Sequence, residues 1–386
     1  MRRLLWLCLL LLLAACTGTQ SVQAPILLFV THSEGGVHRA ALVEDAQFSE
    51  PRFTYLADTE TVLDGAPVDF DVVDRAGARS EIVLLLETGP NDYGAVWLGT
   101  EGIVPDTAGE LAKARPPVDL TAVLTPEVND PADLCLTHVQ TTHDGGLLAL
   151  LNNPGAGSCP SSVASPSIFL VGADGEFVRE LATTRSLLPA GLFIRQETDD
   201  GRDFLNVLDE GVGAARLNEA ELPNGDLSER SEFASGSDNP VPLDFTYTNG
   251  AFVVIQRDYI YTHGQESRIT LPSSANNRII ADPYGNQLQA LLVLQTGSGA
   301  QLNVFMAGGE SQTVTGLGTV SSGTVEPVQQ WAYLLTTAGI TTVDLMEVIE
   351  QFGNARPVSR ASIPEIGTPG LITWFQGLLP AAPDAP

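Results

Sequence analysis

From residue 25 onward the chain repeats one arrangement: a short apolar run, a polar turn carrying glycine, and another short apolar run. ILLFVTH (26–32) and VHRAALV (37–43) flank a turn ending at Gly36, and VDFDVVD (68–74), EIVLLLE (81–87) and YGAVWLG (93–99) make a meander around Gly77. LCLTHVQTT (134–142), LLALLNN (147–153) and SIFLVG (167–172) follow, and then GLFIRQE (191–197) faces DFLNVLDE (203–210). LDFTYT (243–248) precedes one long run, AFVVIQRDYIYTH (251–263), and RIIADP (278–283), LQALLVLQ (288–295) and QLNVFMAG (301–308) continue the series. The last copy is QWAYLLTT (330–337) against ITTVDL (340–345). Short β-rich runs separated by Gly, Asn and Asp turns predict antiparallel hairpins along the whole body.

Taken as equivalent turns, Gly35, Gly77, Gly145, Gly201, Gly250 and Gly285 stand 42, 68, 56, 49 and 35 residues apart. Units of about 40 to 50 residues built from four short strands are what propeller blades require. The fold class predicted is therefore all-β, a β-propeller of seven blades over residues 25–379. An array of β-sandwiches is the alternative, and it calls for blocks nearer about 100 residues. The long interval between Gly77 and Gly145 holds a linker, 105–119, with room for one short helical turn. NGDLSERSEFASGSDNP (224–240) reads as an exposed loop between blades. GLITWFQGLL (370–379) reads as a strand that returns to the N-terminal region and closes the ring, and 380–386 as a disordered tail. The stretch AYLLTTAGITTVDL (332–345) resembles the repeat of bacterial YVTN-type, WD40-like propellers, in which a strand ending in Thr meets a Gly turn and a strand ending in Val-Asp.

The N-terminus gives an address. Arg2 and Arg3 precede twelve apolar residues, 4–15, which are too few for a membrane-spanning helix but suit an export signal. Leu13, Ala14, Ala15 and Cys16 then resemble the lipobox of bacterial lipoproteins. That resemblance implies a signal peptide over 1–15, cleavage before Cys16, a diacylglycerol and a further acyl chain such as palmitate on Cys16, and a lipidated tether over 16–24. The expected location is the bacterial cell envelope, with the domain exported and the membrane reached through lipid; Thr17 favours the outer membrane where there are two.

Charge narrows the partners. The chain of 386 residues carries 47 acidic and 19 basic side chains, a formal net charge of -28, and Lys113 is its only lysine. Such a surface has no footprint for phosphate backbones, so nucleic acid is not an expected partner. Losing Arg2 and Arg3 on cleavage takes the charge to -30, so anionic lipid would repel the domain and the acyl chains must hold it.

Candidate chemistry is sparse. After cleavage two cysteines remain, Cys135 and Cys159, and in an exported chain a disulfide is the default reading. A metal site drawing on Cys135, His138, His143 and Cys159 and a pair of free thiols are the alternatives, although side-chain alternation along a strand sends Cys135 and His138 to opposite faces. His32, His38, His138, His143 and His263 all lie at strand ends or beside turns. His32, His138 and His263 occupy similar strand positions, from which channel-facing histidines could hold a metal in the manner of propeller lactonases and lyases. Asp199, Asp200 and Asp203 lack the ligand spacing of a calcium loop and read as turn residues. Trp97, Trp331 and Trp374 read as packing residues. No nucleophile elbow, metalloprotease, phosphate-loop or dinucleotide motif occurs, so no catalytic residue, metal or cofactor is assigned. The function expected is that of a lipid-anchored binding or scaffold protein for another envelope protein or polymer. The alternative is a lactonase-like hydrolase or lyase using a metal or acid-base site in the central channel.

Overall fold

The computed structural model describes residues 26–46, 52–73, 81–99, 111–154, 165–182, 189–197, 201–211, 214–234, 242–248, 251–256, 258–262, 268–272, 274, 276–280, 290–306, 310–327, 330–350, 359–361, 363 and 365–375. These residues form seven antiparallel sheets of four or five strands arranged as the blades of a propeller. The sandwich alternative is thereby excluded.

Blade one is closed by both chain ends. Its innermost strand is Thr368–Phe375, followed outward by Ile26–Glu34, Val37–Asp45 and Phe53–Leu63. Leu28 pairs with Trp374 and Val30 with Ile372, so the ring is fastened by a ladder between residues far apart in sequence. The innermost strands of blades two to seven are Ala66–Val73, Leu136–Thr141, Pro189–Gln196, Pro242–Thr248, Asn277–Ile280 and Thr319–Glu326. Each touches the innermost strand of the next blade, and the last touches Thr368–Phe375, which completes the circle.

Why the strands read as continuous apolar runs follows from this arrangement. A blade in a ring is packed on both faces, so alternate residues of one strand enter two different seams. Phe29, Ala40 and Leu42 pack with Ile82 and Leu84 of blade two, whereas Leu28, Val30, Ala41 and Val43 pack with Tyr333 and Leu335 of blade seven. Apolar clusters of this kind fill all seven seams.

Several sequence expectations shift. The run 251–263 is not one strand: it ends at Gln256, restarts at Tyr259 and folds back so that Ile255 pairs with Ile260. The polar break at Gln256, Arg257 and Asp258 carries no glycine and so did not read as a turn. The stretch 224–240 is a loop only in part, because Ser228–Ala234 is the outer strand of blade four. The helical turn falls just beyond the linker, at Leu120–Leu124, where the Asp119 carboxylate accepts the Ala122 amide as an N-cap and Leu120 and Leu124 are buried against blades two and three. The turn glycines were also not all equivalent. Gly35 follows the second strand of blade one, while Gly145 and Gly201 follow innermost strands. Mixing the two kinds of turn accounts for part of the uneven spacing. Gly35 and Gly145 have φ of 58° and 66°, a region that glycine enters without steric penalty.

Candidate functional site

The inner wall of the ring gathers the unusual polar chemistry. An innermost strand has one edge paired within its blade and one edge free, so alternate amides need other acceptors. In blade three those amides are taken by blade two: the Asp69 carboxylate accepts from the Val139 amide at 2.9 Å and the Asp71 carboxylate from the Thr141 amide at 2.7 Å. The same device recurs elsewhere. Gln140 of blade three accepts from Ile194 of blade four at 3.3 Å, Asp244 of blade five from Ile279 of blade six at 2.9 Å, and Thr324 of blade seven from Trp374 of blade one at 3.0 Å. Asp71 and Asp244 use their second oxygen to accept the amide of the following residue, Val72 or Phe245, at 2.9 Å and 2.8 Å. One carboxylate thus bridges its own strand and the next blade.

Packing controls the ionisation of these groups. Burial pushes the Asp69 and Asp71 carboxyls up to about 7 each, against the downward pull of the amides they accept, and at Asp71 the nearby Asp69 charge adds to the rise. Asp244 is likewise raised by burial, with the Ile279 amide and the Arg278 guanidinium opposing. All three retain some open surface, as side chains in a channel wall should. His138, also on an innermost strand, is held below the usual imidazole range by burial, with Asp244 pulling it up and Arg278 pushing it down. His138 of blade three, Asp244 of blade five and Arg278 of blade six therefore share one electrostatic environment.

The sequence-predicted residues are only partly brought together. His138 reaches the channel, but His32 does not, because Thr368–Phe375 takes the innermost place in blade one and displaces the histidine's strand outward. His32 is buried there, its Nε2 3.0 Å from the Tyr55 hydroxyl, which donates to Glu60 at 2.6 Å. His38 is half-buried beside the first turn, and His143 is exposed in the turn after the innermost strand of blade three. Cys16, Cys159, Asp199, Asp200 and His263 lie outside the described residues, as do 1–25 and 376–386. Cys135 is buried just before the innermost strand of blade three, with its amide donating to the Asn152 side chain at 2.6 Å. Among the described residues no three His, Cys, Asp or Glu side chains are grouped as a metal site.

Asp203 begins the second strand of blade four and accepts the His143 amide at 3.3 Å. Trp97 and Trp374 are buried in seams, and Trp331 is half-buried beneath Arg52, whose guanidinium carbon lies 4.4 Å from the ring centroid. Sequence reasoning missed Asp69, Asp71, Asp244 and Arg278. The available signal was a charged residue at alternate positions of an otherwise apolar run, as in VDFDVVD.

This is a seven-bladed β-propeller whose inner strands are stapled blade to blade by side-chain acceptors. A protein from Lactobacillus plantarum of known crystal structure is similar in fold, with a TM-score of 0.51 and 12% identity over 91% of this chain and 99% of that one. Apo AztD from Citrobacter koseri aligns over 92% of this chain and 100% of its own, with a TM-score of 0.49 and 9% identity. No protein-family model matches the chain, and no curated protein matches it either.

Proposed function

We propose that the chain is a lipid-anchored propeller of the bacterial cell envelope, acting as a binding or scaffold protein for another envelope protein or polymer. One observation carries this reading: the carboxylates of the inner wall are used to join blades. Asp69, Asp71 and Asp244 accept neighbouring-blade amides, which makes the channel part of the scaffold and leaves the loops as the variable surface. The lactonase-like or lyase-like alternative needs His, Asp or Glu side chains converging on one mouth with free lone pairs, a different use of the same residue types.

Anchoring rests on the lipobox-like 13–16 and on the chain path. The first described strand begins at Ile26, ten residues after Cys16, so a short tether leads directly into blade one. No helix among the described residues is long and apolar enough to cross a membrane. Acyl chains on Cys16 would supply the membrane affinity, about 0.8 kcal/mol per buried methylene. The same compartment suits a disulfide between Cys135 and Cys159. The Asn153 amide donates to the Cys135 carbonyl at 2.8 Å, so the loop that carries Cys159 departs beside Cys135. Fractionation tests the anchor: wild type should sediment with membranes and Cys16→Ala should appear in the soluble fraction, whereas membrane association unaffected by the substitution refutes lipidation.

A further inference from the structure

We propose that the seam between blades two and three is a proton-operated joint, in which Asp69 and Asp71, side by side on one strand and bonded to the same facing strand, tighten the ring when they bind a proton and loosen it when they release it.

The geometry supplies the argument. Asp69 and Asp71 stand two residues apart on one strand, so both side chains leave the same face, with Cα atoms about 6.5 to 7 Å apart. Both cross to the same neighbouring strand, at Val139 and Thr141. Their partners within blade two, Leu85 and Val83, are apolar. Their own strand holds no other charged residue, and the blade-one strand on the other side, Thr368–Phe375, holds none. The facing strand Leu136–Thr141 contributes His138, whose imidazole burial holds below its usual range and whose charged neighbours are Asp244 and Arg278. At the ends of the paired strand, Glu81 is held by Arg115 at 2.9 Å and Glu87 pairs with Tyr93 and Ala66 in the ladder. Two neighbouring carboxylates facing amide donors in a packed seam cannot both stay ionised cheaply: burial pushes both carboxyls up to about 7, and the Asp69 charge adds to the rise at Asp71.

Protonation does not break the staple. A neutral carboxyl still offers its carbonyl oxygen to the facing amide, so proton uptake removes repulsion and desolvation cost while the hydrogen bonds stay. The folded-state pKa lies above the unfolded value, so the folded form binds the proton more tightly. The stability contributed at this seam is therefore fully present below the ordinary carboxylate range near pH 4, is lost as pH rises from there through about 7, and changes no further above it. Other seams lack such a pair: Thr324 and Gln140 staple theirs with neutral groups, and the seam between blades five and six has the single carboxylate Asp244, with Arg278 and His138 as charged neighbours.

Hydrogen exchange on the full-length protein between pH 6 and pH 8.5, corrected for intrinsic rates, tests the joint. Peptides covering 66–73 and 136–141 should lose protection several-fold across that range, with a ceiling of about tenfold per pH unit per titrating group, while 319–326 holds constant. Asp71→Asn, which keeps an acceptor and cannot ionise, should reduce the response to the share carried by Asp69. Equal pH dependence in all inner strands, or an unchanged response in Asp71→Asn, overturns the proposal. Should the variant fail to fold, infrared titration of wild type decides the matter: carboxyl bands lost near pH 7 support the joint, and carboxyls that all titrate near 4 overturn it.

Discussion

The Tyr333 hydroxyl donates to Asp45 Oδ2 at 2.7 Å, joining blade seven to blade one across 288 residues of sequence. Arg52 holds the same carboxylate from the other side, with Nε 2.9 Å from Oδ1 and Nη2 3.0 Å from Oδ2, and packs over Trp331 of blade seven. The seam where the chain ends meet is thus fixed by a buried ionic cluster in addition to the Thr368–Phe375 ladder.

Removing one donor should cost little and removing the acceptor much. Tyr333→Phe deletes a single buried hydrogen bond and is expected to destabilise by about 1 to 2 kcal/mol. Asp45→Ala strands the Arg52 guanidinium, 13% exposed, and is expected to cost about 3 to 5 kcal/mol. Urea unfolding midpoints measure both, and equal effects would contradict the ordering.

Truncation tests closure. Deleting 368–386 removes the innermost strand of blade one and opens the Ile26–Glu34 edge, so cooperative unfolding should be lost and aggregation should rise. Deleting 380–386 alone should leave the thermal midpoint unchanged.

How far the fold was legible depends on where each strand lies. The blade count followed from apolar runs separated by turns, because the central strands of each blade are packed on both faces and therefore read as apolar throughout, whereas a polar outer strand such as Ser228–Ala234 did not show itself. The closing strand at 370–375 was visible because ITWF is apolar beyond the last repeat. What was not visible was the register of blade one. A strand from the far end of the chain takes its innermost place, and that displaced His32 from the channel to which its sequence position had assigned it. The hairpin at 256–259 was hidden because its turn lacks glycine. The inner-wall carboxylates were masked for a related reason: Asp69 and Asp71 look like the polar face of an alternating strand, and only the ring reveals that this face meets the next blade's free amides.

His138 and the aspartate pair should bend the pH profile in opposite directions. The folded-state pKa of His138 lies below the unfolded value, so its neutral form is favoured by folding; that stability is present above about pH 6.5 and lost as pH falls through it. Below about pH 7 the two effects oppose each other, the aspartate pair gaining stability as pH falls and His138 losing it, so His138→Gln should raise the thermal midpoint relative to wild type progressively below about pH 6.5 and leave the difference constant above that value.

The proposed Cys135–Cys159 link should show itself in denatured protein. No thiols are expected to react before reduction and two after it, and reduction is expected to cost roughly 3 kcal/mol by the loop-entropy model. Two reactive thiols in the unreduced mature chain would refute the link.

The central claim is that the tethered ring works by binding an envelope partner. Its most direct test is cross-linking in native membranes followed by affinity capture of the full-length lipidated protein. A single stoichiometric partner with a neutral or basic contact surface, or one whose capture depends on divalent cations as a bridge to the acidic ring, is the predicted result. A protein recovered without a cross-linked partner, together with turnover of a lactone or other small substrate by the purified chain, would contradict the account.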